Sequence, residues 1–450
     1  MKQAGTMDLT SGSVTKKFIT FTLPIMLTLL LQHLYTVADR IVVGQFAENG
    51  KFALAAVGST SSATTLFVNL FTGMGVGTNV VCANKRGARD EVGFAQCMHS
   101  SILLSVILGV GVSLLGLVFC KPLLMLMGTP EDVLELATLY MRICFLGIPA
   151  SAVYNFGANI VRANGDTKRS MYILSLTGLI NVGLNLVFVI GMHMSVAGVA
   201  IATITAQYIS MIWMLWILFS PKGVYKMQLK KLKLHVPSLV AVARVGIPAG
   251  LNGMVFTCSN LILQSSLNTF GSTAIAGKTA ALDISTLAYQ GIGASYLACT
   301  SFSGQCYGAK NYKRIDELLM KSAGVCWTYV ILVAGLCTVF PKQLLGLFNS
   351  DPEVIRIGTG LLLINIWGYV LYTISEITLG CTRGMGRSTV PSILNFLGIC
   401  LPRILWIFCV FPLNRDITFL YLCYPISWTI SAILQIGYYL HIRKKLNIVK

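Results

Sequence analysis

The sequence predicts an all-α membrane protein of twelve transmembrane helices, built as two similar six-helix halves with both termini cytoplasmic. Three observations carry this reading. The 450 residues are 55% hydrophobic and only 11% charged, whereas a soluble domain carries about 25% charged residues. The apolar residues come in blocks long enough to cross a bilayer. The basic residues gather in alternate loops.

The blocks come first. Ser101–Phe119, Met171–Ile190 and Val196–Phe219 are nearly free of charge, and about 20 such residues span the hydrocarbon as a helix. Backbone groups in lipid must bond within their own segment, and a barrel would show alternation instead of continuous runs. The predicted spans are 17–44, 53–81, 94–119, 133–158, 170–190, 196–219, 240–268, 275–304, 320–340, 355–380, 391–411 and 418–441. The first run holds Pro24 and has no small-residue cleavage site, so it reads as a span and not as a signal peptide.

The net charge of +18 invites a nucleic-acid reading, but its distribution speaks for a membrane. One set of loops and tails, from Lys2 through Lys85, Arg162, Lys222, Lys310 and Arg383 to Lys450, carries 23 Lys and Arg; the opposite loops carry four, Lys51, Lys121, Lys342 and Arg415. Basic loops face the cytoplasm, which sets the orientation and requires an even number of spans. The longest connection, 220–239, divides the chain into an N-lobe (1–219) and a C-lobe (240–450). Its interleaved Lys, Leu and Met suit a segment lying on an anionic leaflet as well as a solvated linker.

The halves repeat. Leu-Pro-Ile-Met-Leu at 23–27 matches Ile-Pro-Ala-Gly-Leu at 247–251, and Gly-Ala-Arg-Asp at 87–90 matches Gly-Ala-Lys-Asn at 308–311. Thr-Pro-Glu-Asp-Val at 129–133 matches Asp-Pro-Glu-Val-Ile at 351–355, and Arg-Ala-Asn-Gly at 162–165 matches Arg-Gly-Met-Gly at 383–386. The offsets lie between 221 and 224 residues, so the match is an internal duplication in order. Six spans per half give a parallel repeat, an architecture suited to alternating access with a substrate site near the midplane.

Acids inside spans are costly and mark function. Three lie well inside: Asp39, Asp283 and Glu376. Structural pairing is the competing reading, with Arg40, Lys278 and Arg383 near each in sequence. Arg142 and Arg403 also fall within spans, as counter-ions or substrate contacts. Amides punctuate the apolar runs at Asn155, Asn159, Asn181, Asn185, Gln207, Asn252, Asn260 and Gln264. They serve as interhelical glue or line a watery cavity. Asn181 and Asn185, four residues apart, share one helix face. Pro24, Pro149, Pro248, Pro402 and Pro425 remove ladder bonds within spans, and Pro24 and Pro248 are repeat-equivalent.

Other chemistries find no support. The 13 Cys lie mostly in apolar runs without a CxxC pair, and the five His are scattered without HExxH. Gly-Ser-Thr-Ala-Ile-Ala-Gly-Lys-Thr at 271–279 imitates a phosphate loop, but five residues separate its glycines and an apolar helix follows with no strand before it. No metal-cluster or nucleophile–base set for an intramembrane enzyme stands out.

Taken together, several segments resemble the MATE (multidrug and toxic compound extrusion) family over nearly the whole chain. They are the Pro24 helix running into Ala-Asp-Arg-Ile-Val-Val-Gly at 38–44, Ala-Leu-Ala-Ala-Val-Gly at 53–58, Arg-Ala-Asn-Gly-Asp-Thr at 162–167, Gly-Ile-Pro-Ala-Gly-Leu at 246–251, Gly-Gln-Cys-Tyr-Gly-Ala at 304–309 and Arg-Gly-Met-Gly at 383–386. The resemblance implies a V-shaped pair of lobes in the cell membrane that exports organic cations in exchange for Na⁺ or H⁺, with no cofactor. It matches the family's first-helix aspartate to Asp39. The family's fifth-helix Asn and Asp pair becomes Asn181 and Asn185 here, so the second acid is missing. The implied coupling site is Asp39 with Asn181, Asn185 and Asn155, a possible seat for Na⁺. The expected substrate cavity draws on Asp283, Glu376, Tyr35, Gln264 and Asn252. Organic cations and the bilayer are the expected partners, nucleic acid is not one, and the chain is expected to act as a monomer. A lipid-linked precursor flippase of the same superfamily is the alternative. Asp39 has no acid at its repeat position near Leu263, so the lobes are expected to differ in ion coupling.

The charge bias makes a direct prediction. A fluorescent protein fused to the C-terminus is expected to fluoresce in a bacterial host, and alkaline phosphatase fused there to stay inactive. Active phosphatase would reverse the orientation.

Overall fold

The computed structural model describes residues 6–46, 50–221 and 223–448. Among them every regular element is a helix. In chain order these are α1 (Val14–Phe46), α2 (Gly50–Gly87), α3 (Glu91–Leu126), α4 (Glu131–Ala163), α5 (Lys168–Gly191) and α6 (Ser195–Phe219). The second half follows with α7 (Val236–Asn268), α8 (Ser272–Gly308), α9 (Tyr312–Val339), a short α10 (Pro341–Gly346), α11 (Pro352–Gly384), α12 (Thr389–Leu413) and α13 (Ile417–Leu446). A long helix runs through each predicted span.

Ten of these helices are long and apolar enough to cross a membrane by length and composition; besides the six-residue α10, the long α2 and α8 fall short. Their sequences explain why. Both are rich in Gly, Ser, Thr and Ala, from Gly58-Ser-Thr-Ser-Ser in α2 to Thr300-Ser-Phe-Ser-Gly in α8. Small residues lower hydropathy but let helix backbones approach, the usual device of helix interfaces in lipid. The apolar surface lies elsewhere. On α3, Leu114, Leu115, Val118 and Phe119 are exposed, while Val112, Gly116 and Cys120 are buried. An apolar face of this kind is a liability in water and the expected surface in lipid.

The chain forms two compact units, each with its own interior. The first holds residues 1–8 and 27–250, the second 9–26 and 251–450. Both divisions fall inside repeat-equivalent helices, two residues past Pro24 in α1 and two past Pro248 in α7. In the first unit α2 packs against α4 and against the opening turns of α7. The α2–α7 approach is backbone to backbone: a Cβ on Gly73 would lie 2.2 Å from the Gly250 nitrogen. Asn79 donates to the Asn159 carbonyl at 3.0 Å, tying α2 to α4. In the second unit α8 lies along α11, and a Cβ on Gly384 would meet the Thr300 carbonyl at 2.5 Å.

Four prolines sit inside unbroken helices: Pro24, Pro122, Pro149 and Pro248. Pro402 falls between two π-wound stretches of α12, Phe396–Cys400 and Trp406–Val410. Pro122, which the span reading left outside, lies within α3.

The 220–239 connection docks on the first unit. Tyr225 and Met227 are buried. The Met227 N–H donates to the Leu218 carbonyl at 2.9 Å, and the Gln228 N–H donates to His99 Nε2 at 3.2 Å. Ser100 Oγ donates to the Lys233 carbonyl at 3.0 Å and accepts from the His235 N–H at 2.8 Å. Lys226, Lys230, Lys231 and Lys233 remain exposed. On the preceding turn Asp90 caps α3 through the Gly93 N–H and pairs with Lys85, and this donation holds its carboxyl below the usual range.

The close α2–α7 contact is testable. Gly73→Ala is expected to destabilise the protein by roughly 1–3 kcal/mol through overpacking. Gly111→Ala, where the added methyl meets open space, is expected to stay within about 0.5 kcal/mol or to gain slightly. Thermal unfolding in detergent measures both, and equal melting temperatures would refute the contact.

Candidate functional site

The site grows from one stripe of α1. Gln32, Tyr35, Thr36 and Asp39 follow i, i+3, i+4, i+7 spacing and therefore share a face. All four line a cavity of about 230 Å³, together with Leu174, Thr177, Gly178 and Asn181 of α5 and Thr203, Ala206, Gln207 and Ser210 of α6. A second cavity, of about 480 Å³, is walled by α1, α2, α4 and α6, with Thr64, Phe71, Tyr140, Cys144 and Ser151 among its lining. Thr36, Asp39, Thr203 and Gln207 belong to both linings. Asp39 therefore stands where the two spaces meet.

Packing fixes the stripe. The Tyr35 hydroxyl donates to the Ser175 carbonyl at 3.0 Å. Its ring lies where a side chain at 178 would be: a Cβ on Gly178 would fall 1.7 Å from Tyr35 Cε2. The glycine makes room for the tyrosine against α5.

Asp39 Oδ1 accepts from Asn185 Nδ2 at 2.5 Å. Asn185 is fully buried, and its own Oδ1 has no hydrogen-bond partner. One turn earlier Asn181 Nδ2 reaches Thr203 Oγ1 at 3.5 Å, and that hydroxyl donates to the Val199 carbonyl. The shared face predicted for Asn181 and Asn185 thus points both amides toward α1 and α6. Immediately after Asn185 the helix changes winding, with a π-helical stretch over Leu186–Gly191. Such stretches shift backbone partners and recur at functional sites.

Among the described residues Asp39 has no Lys or Arg nitrogen within ion-pair distance. Arg40 is exposed and makes no ion pair with it, although both line the larger cavity. Oxygen atoms stand near Asp39: those of its carboxylate, the orphaned Asn185 Oδ1, and the hydroxyls of Thr36 and Thr203 on the same cavity walls. Oxygen is what a hard cation seeks, and a proton needs only the carboxylate.

The other predicted residues are placed elsewhere. Asn155 donates to Ser151 Oγ and the Ser151 carbonyl on its own helix; it lines neither cavity, whereas Ser151 does. In the second unit Asn252 accepts from Asn395, which in turn accepts from Ser431. Gln264 is held by Lys278 and donates to Asn268. Lys278 is therefore engaged by an amide. Glu376 has the Tyr372 hydroxyl and the Arg383 charge as polar neighbours. Asp283 is partly buried. Neither cavity is lined by these four residues. Arg142 is exposed near Glu135. Arg403 is fully buried and donates to Asn260 and Ser427.

Sequence reading missed Gln32, Thr36, Thr203 and Ser210 as lining residues. The polar stripe 32, 35, 36, 39 was the available signal, since four polar side chains on one face of a lipid-embedded helix need a partner.

Long apolar helices with a carboxylate on the wall shared by two cavities are the build of a multi-pass membrane transporter. The chain belongs to the MatE family, which matches residues 24–187 and 248–408, one stretch in each half. It is similar to the "Probable multidrug resistance protein YoeA" of Bacillus subtilis (strain 168), 26% identical over 97% of this chain and 96% of that one. It is also similar to the "Probable multidrug resistance protein YpnP" of the same organism, 28% identical over 88% of each chain. In fold it matches the outward-facing conformation of a multidrug resistance MATE family transporter of the MOP superfamily, with a TM-score of 0.91 at 24% identity, covering 99% of this chain and 100% of that one.

The Tyr35 seat yields a prediction. Gly178→Ala is expected to drive the tyrosine out of place and cost roughly 1–3 kcal/mol. Gly183→Ala, on the same helix with open space beside it, serves as the control. Matching unfolding temperatures for the two variants would show that Tyr35 is not seated there.

Proposed function

We propose that the chain is a secondary antiporter of the cell membrane, acting as a monomer, that exports organic cationic amphiphiles in exchange for Na⁺ or H⁺ by alternating access. The observation that carries this reading is the position of Asp39. It lies on the wall common to two cavities, carries no counter-ion among the described residues, and faces a buried amide with an unmet acceptor. The names of the relatives, multidrug resistance proteins, support export of small organic compounds.

In this reading Asp39 alternates between two partners. Without the coupling ion its negative charge takes the Asn185 N–H and offers a cation its remaining lone pairs. A proton or Na⁺ neutralises it, assisted by Asn181, Asn185 and Thr203. The ion then favours whichever conformation binds it better, and only that difference in affinity can shift the equilibrium. Tyr35 supplies an aromatic wall beside the carboxylate, a surface to which organic cations are drawn. Asn155 would act only through Ser151, its partner on α4. Asp283, Glu376, Gln264 and Asn252 remain proposed substrate contacts of the second unit.

Asp39→Asn keeps the shape and removes the charge. In proteoliposomes with separately imposed Na⁺ and pH gradients, the variant is expected to lose coupled ethidium transport by at least about tenfold, the rate equivalent of 1.4 kcal/mol. It should still insert and fold. Wild-type rates in the variant under either gradient would overturn the assignment.

A further inference from the structure

The three helices that build the Asp39 cluster, α1, α5 and α6, correspond in the repeat to α7, α12 and α13. At the corresponding level of the second unit stands a cluster of opposite sign. Asn260 lies within one helical turn of Leu263, the repeat position of Asp39, so an amide stands at the level the acid holds in the first unit. Arg403 of α12 replaces the amide face of α5, and Ser427 of α13 replaces the hydroxyl of α6.

Arg403 is fully buried. Its Nε donates to Ser427 Oγ at 3.1 Å and its Nη1 to Asn260 Oδ1 at 3.0 Å. Both acceptors are neutral. Nη2 is buried and has no partner. Among the described residues no carboxylate lies within ion-pair distance. The Tyr424 ring lies 4.3 Å from the guanidinium carbon, Phe256 5.4 Å and Trp428 5.7 Å. Aromatic faces soften the burial of a cation, but they accept no hydrogen bond in the guanidinium plane. A guanidinium retains its charge and presents paired donors suited to a carboxylate or other anion. The cage therefore satisfies the faces of the group and two of its nitrogens, and leaves one edge without its natural partner.

We propose that Arg403 is the fixed charge of an anion site in the second unit, which takes a monovalent anion on Nη2. Two sources share that chemistry: chloride from the medium, or the carboxylate of a zwitterionic substrate. The site is independent of ion coupling at Asp39. It makes the two halves complementary, one built for positive charge and the other for negative.

Equilibrium binding to the purified full-length protein tests this without any gradient, so its outcome is separable from that of the antiport reading. Two dyes that differ only in a carboxyl group serve as probes: rhodamine 110, the free acid, and rhodamine 123, its methyl ester. Unfolding temperature in sodium chloride against sodium gluconate probes the chloride source. If a substrate carboxylate is the occupant, rhodamine 110 binds the wild type at least about tenfold more tightly than rhodamine 123, and Arg403→Gln levels the two. If chloride is the occupant, replacing gluconate by chloride raises the wild-type unfolding temperature by several degrees, and Arg403→Gln loses that rise. Arg403→Lys, which keeps the charge, retains part of either response and replaces the Gln variant if that one fails to fold. A wild type that neither prefers the carboxylate dye nor responds to chloride overturns the proposal. So does a response of full size in Arg403→Gln.

Discussion

Lipid offers no hydrogen bonds, and most of what this chain does follows from that. The backbone meets the constraint by being helical through every predicted span. Hydroxyls meet it by turning back on their own helix: Thr60, Thr138, Thr203 and Thr257 each donate to the carbonyl four residues earlier. Amides cannot do this fully, because they carry both donors and an acceptor. They reach across helices instead, as Asn79 does to α4 and Asn395 to α7. Groups still unmet after these options stand out. Asn185 Oδ1 and Arg403 Nη2 are two of them, and each sits at the centre of its own unit's polar cluster.

The same constraint decides what could be read from sequence. The spans were legible because continuous apolar runs have few other uses, and the repeat because its loop motifs recur at one offset. Asp39 was legible because an acid in such a run is rare, and its partners because Asn181 and Asn185 sit four residues apart. Asn155 lies a turn beyond the cavity wall, where Ser151 takes its donors, a distinction its place in an apolar run does not carry. The Arg403 cage was not legible as a unit. Asn260 lies 143 residues from Arg403, and aromatic residues within apolar helices look like ordinary packing until the fold stacks them on a guanidinium. The docking of 220–239 depends on His99 and Ser100 of α3, whose spacing carries no pattern that points to a linker more than a hundred residues on.

A duplicated helix plan does not require duplicated chemistry. Both halves keep the inner-loop turns and the proline of the opening helix, because these shape the backbone. Side chains at the polar level are free to differ, provided each cluster satisfies itself or a ligand. One cluster is anionic and opens on two cavities. The other is cationic and wrapped in rings. Charge of either sign is tolerated because it is surrounded by groups that hydrogen-bond or polarise, and not because an opposite charge cancels it.

The Asp39–Asn185 bond also indicates how a small ion could act on a large helix. A hydrogen bond to a charged group contributes about 1.5–3 kcal/mol, and coupling between ligand sites is of the same size, typically 1–3 kcal/mol. The bond joins the second part of α1 to α5 within one unit. Neutralising Asp39 would weaken the acceptor and with it the tie between these helices, just where α5 changes from α to π winding. No long relay is needed. Under the antiport proposal, a single carboxylate that exchanged an amide for an ion would change the balance between helix packings by about as much as coupling requires, and the orphaned Asn185 oxygen lies on the amide that the carboxylate already holds.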